Sequence, residues 1–125
     1  MTSDKNTMGK KYFLKEKADA LAGRIIKMYQ YLDKQKGEHI MSKQVLRSGT
    51  SIGANITESK DAQSSADYIS KLSIALKEAN ETEYWITNLY NGGYINEKEC
   101  QSIQNDTIEI IKLLTTTIKK IKAKL

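Results

Sequence analysis

Few residues in this sequence could support acid–base, nucleophilic or metal chemistry. It contains one histidine, His39, and one cysteine, Cys100. Catalysis needs a positioned acid, base, nucleophile or metal, and no His, Cys, Asp or Glu residues here have the spacing of a zinc site. His39 lies in a predicted turn, where a single imidazole is most often only solvated. The sequence therefore predicts a protein that is not an enzyme and has no metal site or cofactor.

One glycine-rich segment could be mistaken for a phosphate-binding loop. It reads Gly49-Thr50-Ser51-Ile52-Gly53, but it lacks the GK[ST] ending and no strand precedes it. Its neighbours have helical spacing, and a glycine inside a helix costs about 1 kcal/mol relative to alanine. Close approach of a second helix would offset that cost. We therefore expect Gly49 and Gly53 to face a neighbouring helix.

Polar residues on predicted helices two and three lie near this small-residue surface. They are Arg47, Asn55, Glu58, Glu78, Glu81 and Glu83. Antiparallel pairing of the two helices places Arg47 within reach of Glu78, and a buried charge needs such a partner. Glu81 and Glu83 are two positions apart and face different sides of a helix, which weakens an acid–base pair. We expect a structural network that sets register or a subunit interface, with a catalytic site as the alternative.

The apolar residues recur at the spacing of amphipathic helices in four segments. Helix one should cover about residues 10–35 and end before Gly37. Helix two should begin near residues 38–42 and close around residues 59–63. No strand pattern competes with these helices. Short connections between four helices predict an all-α fold, an up-down-up-down antiparallel four-helix bundle.

Residues that typically end or cap a helix mark the boundaries of the last two helices. Asn91-Gly92-Gly93 should stop helix three. Asn96 should cap helix four, because Glu99 follows three residues later as in a capping box. The polar residues 1–9 should form a disordered tail, which leaves residues 10–125 as one bundle domain.

Composition predicts a cytoplasmic protein that does not enter a membrane. The chain has 125 residues, no proline and 28% charged residues. Its first residues are charged where a signal peptide would need an apolar run of roughly 7–15 residues. No stretch approaches the roughly 18 apolar residues of a membrane span, and a lone cysteine fits a reducing compartment.

Charge is unevenly distributed along the chain. Residues 1–60 hold 12 Lys or Arg against 6 Asp or Glu, residues 61–111 hold 3 against 9, and residues 112–125 hold 5 against none. In an up-down-up-down bundle the start of helix one meets the end of helix four. The lysines that would converge and bind phosphate there are Lys10, Lys11, Lys15, Lys17, Lys119, Lys120, Lys122 and Lys124.

Two sequence blocks, LRSGTSIGANITES and SADYISKLSIALKEANETEYWI, resemble the small bacterial four-helix bundle proteins known as 23S rRNA intervening-sequence proteins. The resemblance covers about residues 10–122. Its most specific residues are Arg47, Ser51, Ile52, Ala54, Asn55, Ile56, Glu58, Ala75, Glu78, Glu81 and Glu83. The family is similar in fold to the accessory protein of diversity-generating retroelements, and that similarity implies a homopentamer. The family resemblance also suggests nucleic-acid binding or partnership with a nucleic-acid enzyme.

Two functional hypotheses follow from these observations. The first is an oligomeric bundle that binds RNA or DNA through a repeated basic end. The second is a structural adaptor that docks a protein partner such as a nucleic-acid enzyme, while a hydrolase or nuclease is least favoured. Because the apolar faces of helices two and three are wider than one seam needs, we expect self-association, with Trp85 and Tyr84 or Tyr90 as interface aromatics.

Overall fold

The computed structural model describes the backbone of residues 2–125 and the side chains of residues 13–125. This part of the chain contains four helices and no strand. The helices are α1, Thr2–Gln35; α2, Met41–Ser59; α3, Ser65–Asn91; and α4, Glu97–Ala123. Each helix packs against its two neighbours in the order α1, α2, α3, α4 and back to α1. The fold is the predicted all-α, up-down-up-down four-helix bundle.

The core is a single cluster of aliphatic side chains from all four helices. Its fully buried members include Leu21, Ile52, Leu72 and Leu114. They belong to the predicted apolar stripes, and their helical spacing turns each stripe toward the bundle axis. Trp85 and Met28 are only half-buried at the edge of this cluster.

The connection between α1 and α2 is built on two residues with different roles. Gly37 has φ +64°, a left-handed conformation that glycine adopts without strain. The next residue, Glu38, is 6% exposed and turns its carboxylate back onto the start of α2. Its oxygens accept the backbone N–H groups of Ile40, Met41 and Ser42 at 3.2, 3.2 and 2.7 Å. Glu38 thus satisfies donors that a helix N-terminus leaves without partners.

The remaining connections follow the predicted signals. Asn96 accepts the backbone N–H of Glu99 at 2.8 Å, and the Glu99 carboxylate accepts the backbone N–H of Asn96 at 3.0 Å. This reciprocal pair is the capping box predicted for helix four. Helix three ends at Asn91, and Gly93 takes φ +80° in the turn that follows.

The start of α1 differs from the sequence prediction in its backbone. We expected a helix from about residue 10, and the helix begins at Thr2. The disordered tail over residues 1–9 stays a prediction, because the side chains of these residues lie outside the described part of the chain.

Candidate nucleic-acid interface

The contact between α1 and α2, called the α1–α2 seam, shows which residues of these two helices lie side by side. Gly49 and Gly53 are buried and both face α1. A Cβ atom at Gly49 would collide with Cδ1 of Ile25 and lie 3.1 Å from its Cγ2. One at Gly53 would lie 3.7 Å from Cβ of Ala18. The clash at Gly49 means that α1 and α2 pack here without room for a side chain, whereas a Cβ atom at Gly53 would be in ordinary contact with Ala18.

The α1–α4 seam is bridged by charged side chains. Nζ of Lys17 lies 2.9 Å from Oε1 of Glu109. Nη1 of Arg24 donates to Oδ2 of Asp106 at 2.6 Å and to the Ser102 carbonyl at 3.2 Å, while Nη2 donates to Oγ of Ser102 at 2.9 Å. Arg24 therefore holds two successive turns of α4. These bridges show which residues of the antiparallel helices α1 and α4 lie side by side.

The two seams together place the end of α4 beyond the end of α2. Lys17 and Ala18 are adjacent in α1, so their partners Glu109 and Gly53 lie at nearly the same level. From Gly53, α2 continues for six residues to Ser59, or about 9 Å at 1.5 Å per residue. From Glu109, α4 continues for fourteen residues to Ala123, or about 21 Å. The last turns of α4 therefore extend about 12 Å past the end of α2.

The lysines of this extension are exposed. They are Lys119, Lys120, Lys122 and Lys124. Within the described side chains, residues 13–125, none of them takes part in an ion pair. Lysines in a last turn complement the helix dipole by about 0.3–1 kcal/mol each, but this leaves their ammonium groups in water. The end of α4 presents four available positive charges.

The lysines predicted on α1 are arranged differently. Nζ of Lys15 lies 2.6 Å from Oδ2 of Asp19, one turn along the same helix. Lys17 is bound to Glu109, and its Nζ also lies 5.2 Å from the centroid of the Phe13 ring. Both positive charges are thus offset by a carboxylate. The side chains of Lys10 and Lys11 lie outside the described residues.

The polar residues predicted to form one network occupy separate positions on α2 and α3. Nδ2 of Asn55 donates to the Ser51 carbonyl of its own helix at 2.8 Å. Glu58 pairs with Lys71 at 3.2 Å, and the backbone carbonyl of Glu83 accepts Nε2 of Gln104 at 2.9 Å. Arg47 is exposed and, among the described side chains, is not in an ion pair. The structure does not bring all six residues together.

Glu78, Glu81 and Arg47 still interact electrostatically. Burial raises the pKa of Glu78, and the nearby Glu81 carboxylate raises it further, while the positive charge of Arg47 opposes the shift. One carboxylate oxygen of Glu78, Oε2, is fully buried without a hydrogen-bond partner in the described part of the chain. The cluster is therefore a partly desolvated carboxyl pair.

Sequence reasoning missed several polar contacts. The hydroxyl oxygens of Ser48 and Thr82 are buried and lie 2.9 Å apart across α2 and α3. Neither residue has a charge or a motif that would single it out. Arg24 was also missed, because its partners are 78 and 82 residues away. The Lys15–Asp19 pair was visible in the sequence, since residues four apart are neighbours on a helix.

The described residues contain little that could support catalysis. No group of three or more His, Cys, Asp or Glu residues within them could hold a metal ion. Burial raises the pKa of the Cys100 thiol, and the Glu97 carboxylate adds to the shift. A raised pKa disfavours the nucleophilic thiolate. Among the described residues, none of the helices combines the length and the apolar composition that a membrane span requires.

Comparison with known proteins assigns the family. The model of the family described as 23S rRNA-intervening sequence protein matches residues 10–116. The chain belongs to this family. A similar crystal structure is that of a protein of unknown function from the S23 ribosomal protein family of Bacteroides thetaiotaomicron VPI-5482. It is 54% identical, with a TM-score of 0.87 over 88% of this chain and 98% of that one. None of the curated proteins matches significantly.

The family match and the lysine-bearing end occupy different parts of the chain. The matched range contains both glycines and the carboxyl pair of Glu78 and Glu81. It ends before Lys119, the first of the four exposed lysines of α4. Membership of the family therefore supports the bundle, whereas the argument for the basic end comes from this chain's own residues.

Proposed function

We propose that this protein is a non-enzymatic, cytoplasmic oligomer that binds nucleic acid through the end of α4. The observation that carries the proposal is the set of four exposed lysines without ion pairs in the described part of the chain: Lys119, Lys120, Lys122 and Lys124. They stand on a helix end that extends past α2. Because their side chains are exposed, phosphate groups can reach them from solvent.

The chemistry of these side chains favours phosphate contacts over base readout. Lysine offers a mobile point charge without the planar fork of arginine. Contacts of this kind position a strand and carry no sequence information. The four α4 lysines are the principal contacts in this proposal. Lys15 and Lys17 contribute less because each is already paired, and Lys10 and Lys11 remain predicted contacts.

Self-association would multiply these contacts. Tyr84 is 60% exposed and packs edge-on against Trp85, with ring centroids 5.0 Å apart. Tyr90 is exposed on the same helix. Exposed aromatic residues often anchor interfaces, which supports a homo-oligomer, and the family resemblance implies a pentamer. Repeated weak sites on one assembly add their contacts through avidity. Sedimentation equilibrium giving a 14.1 kDa species at micromolar concentration would contradict self-association.

The same aromatic surface also supports the adaptor hypothesis. A shallow groove on α3, lined by Leu76, Asn80 and Tyr84 among others, lies beside the Glu81 carboxylate. A protein partner such as a nucleic-acid enzyme could cover it in place of a second copy. This alternative does not need the lysines of α4.

Fluorescence anisotropy with labelled RNA and duplex DNA at two salt concentrations tests the proposal. We expect binding at low salt, with a log–log salt slope of about −0.9 per phosphate neutralised on duplex DNA. Replacement of Lys119, Lys120, Lys122 and Lys124 by Gln should weaken binding and flatten the slope. A matched variant carries Gln at Lys34, Lys43, Lys77 and Lys112, which are exposed elsewhere.

The matched variant loses the same formal charge and should bind more tightly than the α4 variant. Circular dichroism and sedimentation should be unchanged for both. Equal losses in the two variants would mean that net charge alone is responsible. Absence of RNA and DNA binding by the unmodified protein at low salt would favour the adaptor function.

A further inference from the structure

A cleft of about 440 Å³ lies between α1 and α4, far from the lysine-bearing end. Its apolar lining comes from Met28 and Tyr31 of α1, from Ile95 in the connection that precedes α4, and from Ile103 of α4. The volume falls within the range of about 300–1,000 Å³ that is typical of small-molecule sites. The proposed function makes no use of this cleft.

Polar bridges cross between α1 and α4 beside the cleft. The Arg24 side chain reaches across from α1 and donates to Asp106 and Ser102 of α4. Ile95 and Ile103 are buried at its floor. Tyr31 is 43% exposed, so part of its ring is open to a ligand.

Positive charge dominates the polar lining. Arg24, Lys27 and Lys98 contribute to the wall, against one carboxylate, Glu99. Arg24 is already paired with Asp106, but Lys27 and Lys98 are exposed and make no ion pair within residues 13–125. The Nζ of Lys36 adds a further charge 5.9 Å from the Tyr31 ring centroid. Glu99 already accepts the Asn96 backbone N–H at 3.0 Å.

We propose that this cleft binds a nucleotide-sized aromatic anion, in which a phosphate group is joined to a planar ring. The phosphate contacts Lys27 and Lys98, and the ring packs against Tyr31 and the apolar floor. Neither half is sufficient: the lysines alone are solvated, and the open apolar surface alone gives little orientation. A free nucleotide and the terminal nucleotide of a strand both have this chemistry.

This site is independent of the proposed end of α4. Ile103 and Lys119 are sixteen residues apart in one helix, or about 24 Å. Loss of strand binding at the α4 lysines would therefore leave the cleft intact. The two proposals can fail separately.

Isothermal titration calorimetry tests the cleft with three probes: AMP, adenosine and inorganic phosphate. We expect AMP to bind at least about tenfold more tightly than either fragment, a difference of about 1.4 kcal/mol. AMP binding no tighter than phosphate would overturn the proposal, because a diffuse cationic surface would then suffice. Adenosine binding as tightly as AMP would also overturn it.

Charge-removing variants locate the site. The double variant Lys27→Gln and Lys98→Gln should weaken AMP binding about tenfold, because charge-assisted contacts to phosphate are lost. The control is Lys77→Gln with Lys112→Gln, which removes the same charge outside the cleft and should leave AMP affinity unchanged. All four lysines are exposed, and circular dichroism verifies folding. Unchanged AMP affinity in the first variant would refute the assignment.

A final titration separates the two sources of the nucleotide. It uses 5′-phosphorylated hexa-adenylate and the protein in which the four α4 lysines are replaced by Gln. Affinity equal to that of AMP, and lost in Lys27→Gln with Lys98→Gln, would assign the end of a strand. Loss of hexa-adenylate binding while AMP still binds would assign a free nucleotide.

Discussion

The α1–α2 and α1–α4 seams of the bundle use opposite means to join helices. At the first seam Gly49 and Gly53 remove side chains and let α1 pack closely on α2. At the second, Arg24 and Lys17 reach across to carboxylates on α4 and leave a cleft beside them. The close seam depends on shape, and at Gly49 it has no room for even a Cβ atom. The bridged seam depends on charge and leaves a solvent-accessible space where a ligand can bind.

The largest effect is expected from a substitution that disrupts the close packing of α1 on α2. Gly49→Leu should lower the free energy of unfolding by about 3 kcal/mol, the upper part of the usual overpacking range, because even a Cβ atom would collide with the fully buried Ile25. The measurement is chemical denaturation. Gly23→Leu is the control, since a Cβ at this exposed glycine of α1 meets nothing within 4 Å. Equal destabilisation by both variants would contradict the seam argument.

A smaller effect concerns the turn that leads from α1 into the close seam. Glu38→Gln should cost about 1–2 kcal/mol at neutral pH, comparable to loss of a strong helix cap. Burial by itself would raise the pKa of Glu38, but the hydrogen bonds from the N–H groups of Ser42, Met41 and Ile40 hold it below its usual value. The resulting stabilisation is fully present above the ordinary glutamate pKa. It is lost as pH falls through the lowered pKa of the folded protein.

Urea denaturation of both proteins between neutral and acid pH checks this dependence. The stability difference between the original protein and Glu38→Gln should shrink as pH falls. A difference that stays constant down to low pH would mean that the carboxylate charge contributes nothing to the cap.

The smallest effect belongs to the bridged seam. A double-mutant cycle of Arg24→Ala and Asp106→Ala should give a coupling of about 0.2–1 kcal/mol, because both side chains are more than 40% exposed. High salt should reduce the coupling through screening. A coupling well above this range would show that the bridged seam contributes as much to stability as the close seam.

Local signals account for most of what was predictable. The capping box at Asn96, the stop at Asn91 and the contacts of both glycines all depend on residues close in sequence or on helix periodicity. The Arg24–Asp106 bridge depends instead on how two distant helices rotate and slide against each other, which periodicity leaves open. The pairing of Lys17 with Glu109 was unpredictable for the same reason. The charge of Lys17 can be read from the sequence, but its partner depends on the register of α1 against α4.

The Glu38 cap was hidden for a different reason. A carboxylate normally caps a helix from the residue immediately before it or from the first turn, whereas Glu38 lies two residues before the N-cap residue Ile40, just after the turn at Gly37. The arrangement of the polar residues on α2 and α3 was also unpredictable. Two residues can lie at the same level of paired helices while their side chains point in different directions. Arg47 and Glu78 accordingly influence each other by charge without forming an ion pair.

The bridged seam also has a consequence for the order of folding. Ser48 and Thr82 meet after a loop of 34 residues is closed, whereas Arg24 and Asp106 join positions 82 apart. Closing the longer loop from an open chain costs about 0.8 kcal/mol more in entropy, and the seam that results is held by exposed charges. The first and last helices should therefore dock late and separate early. Amide hydrogen exchange should be fastest, among buried turns, where α1 faces α4.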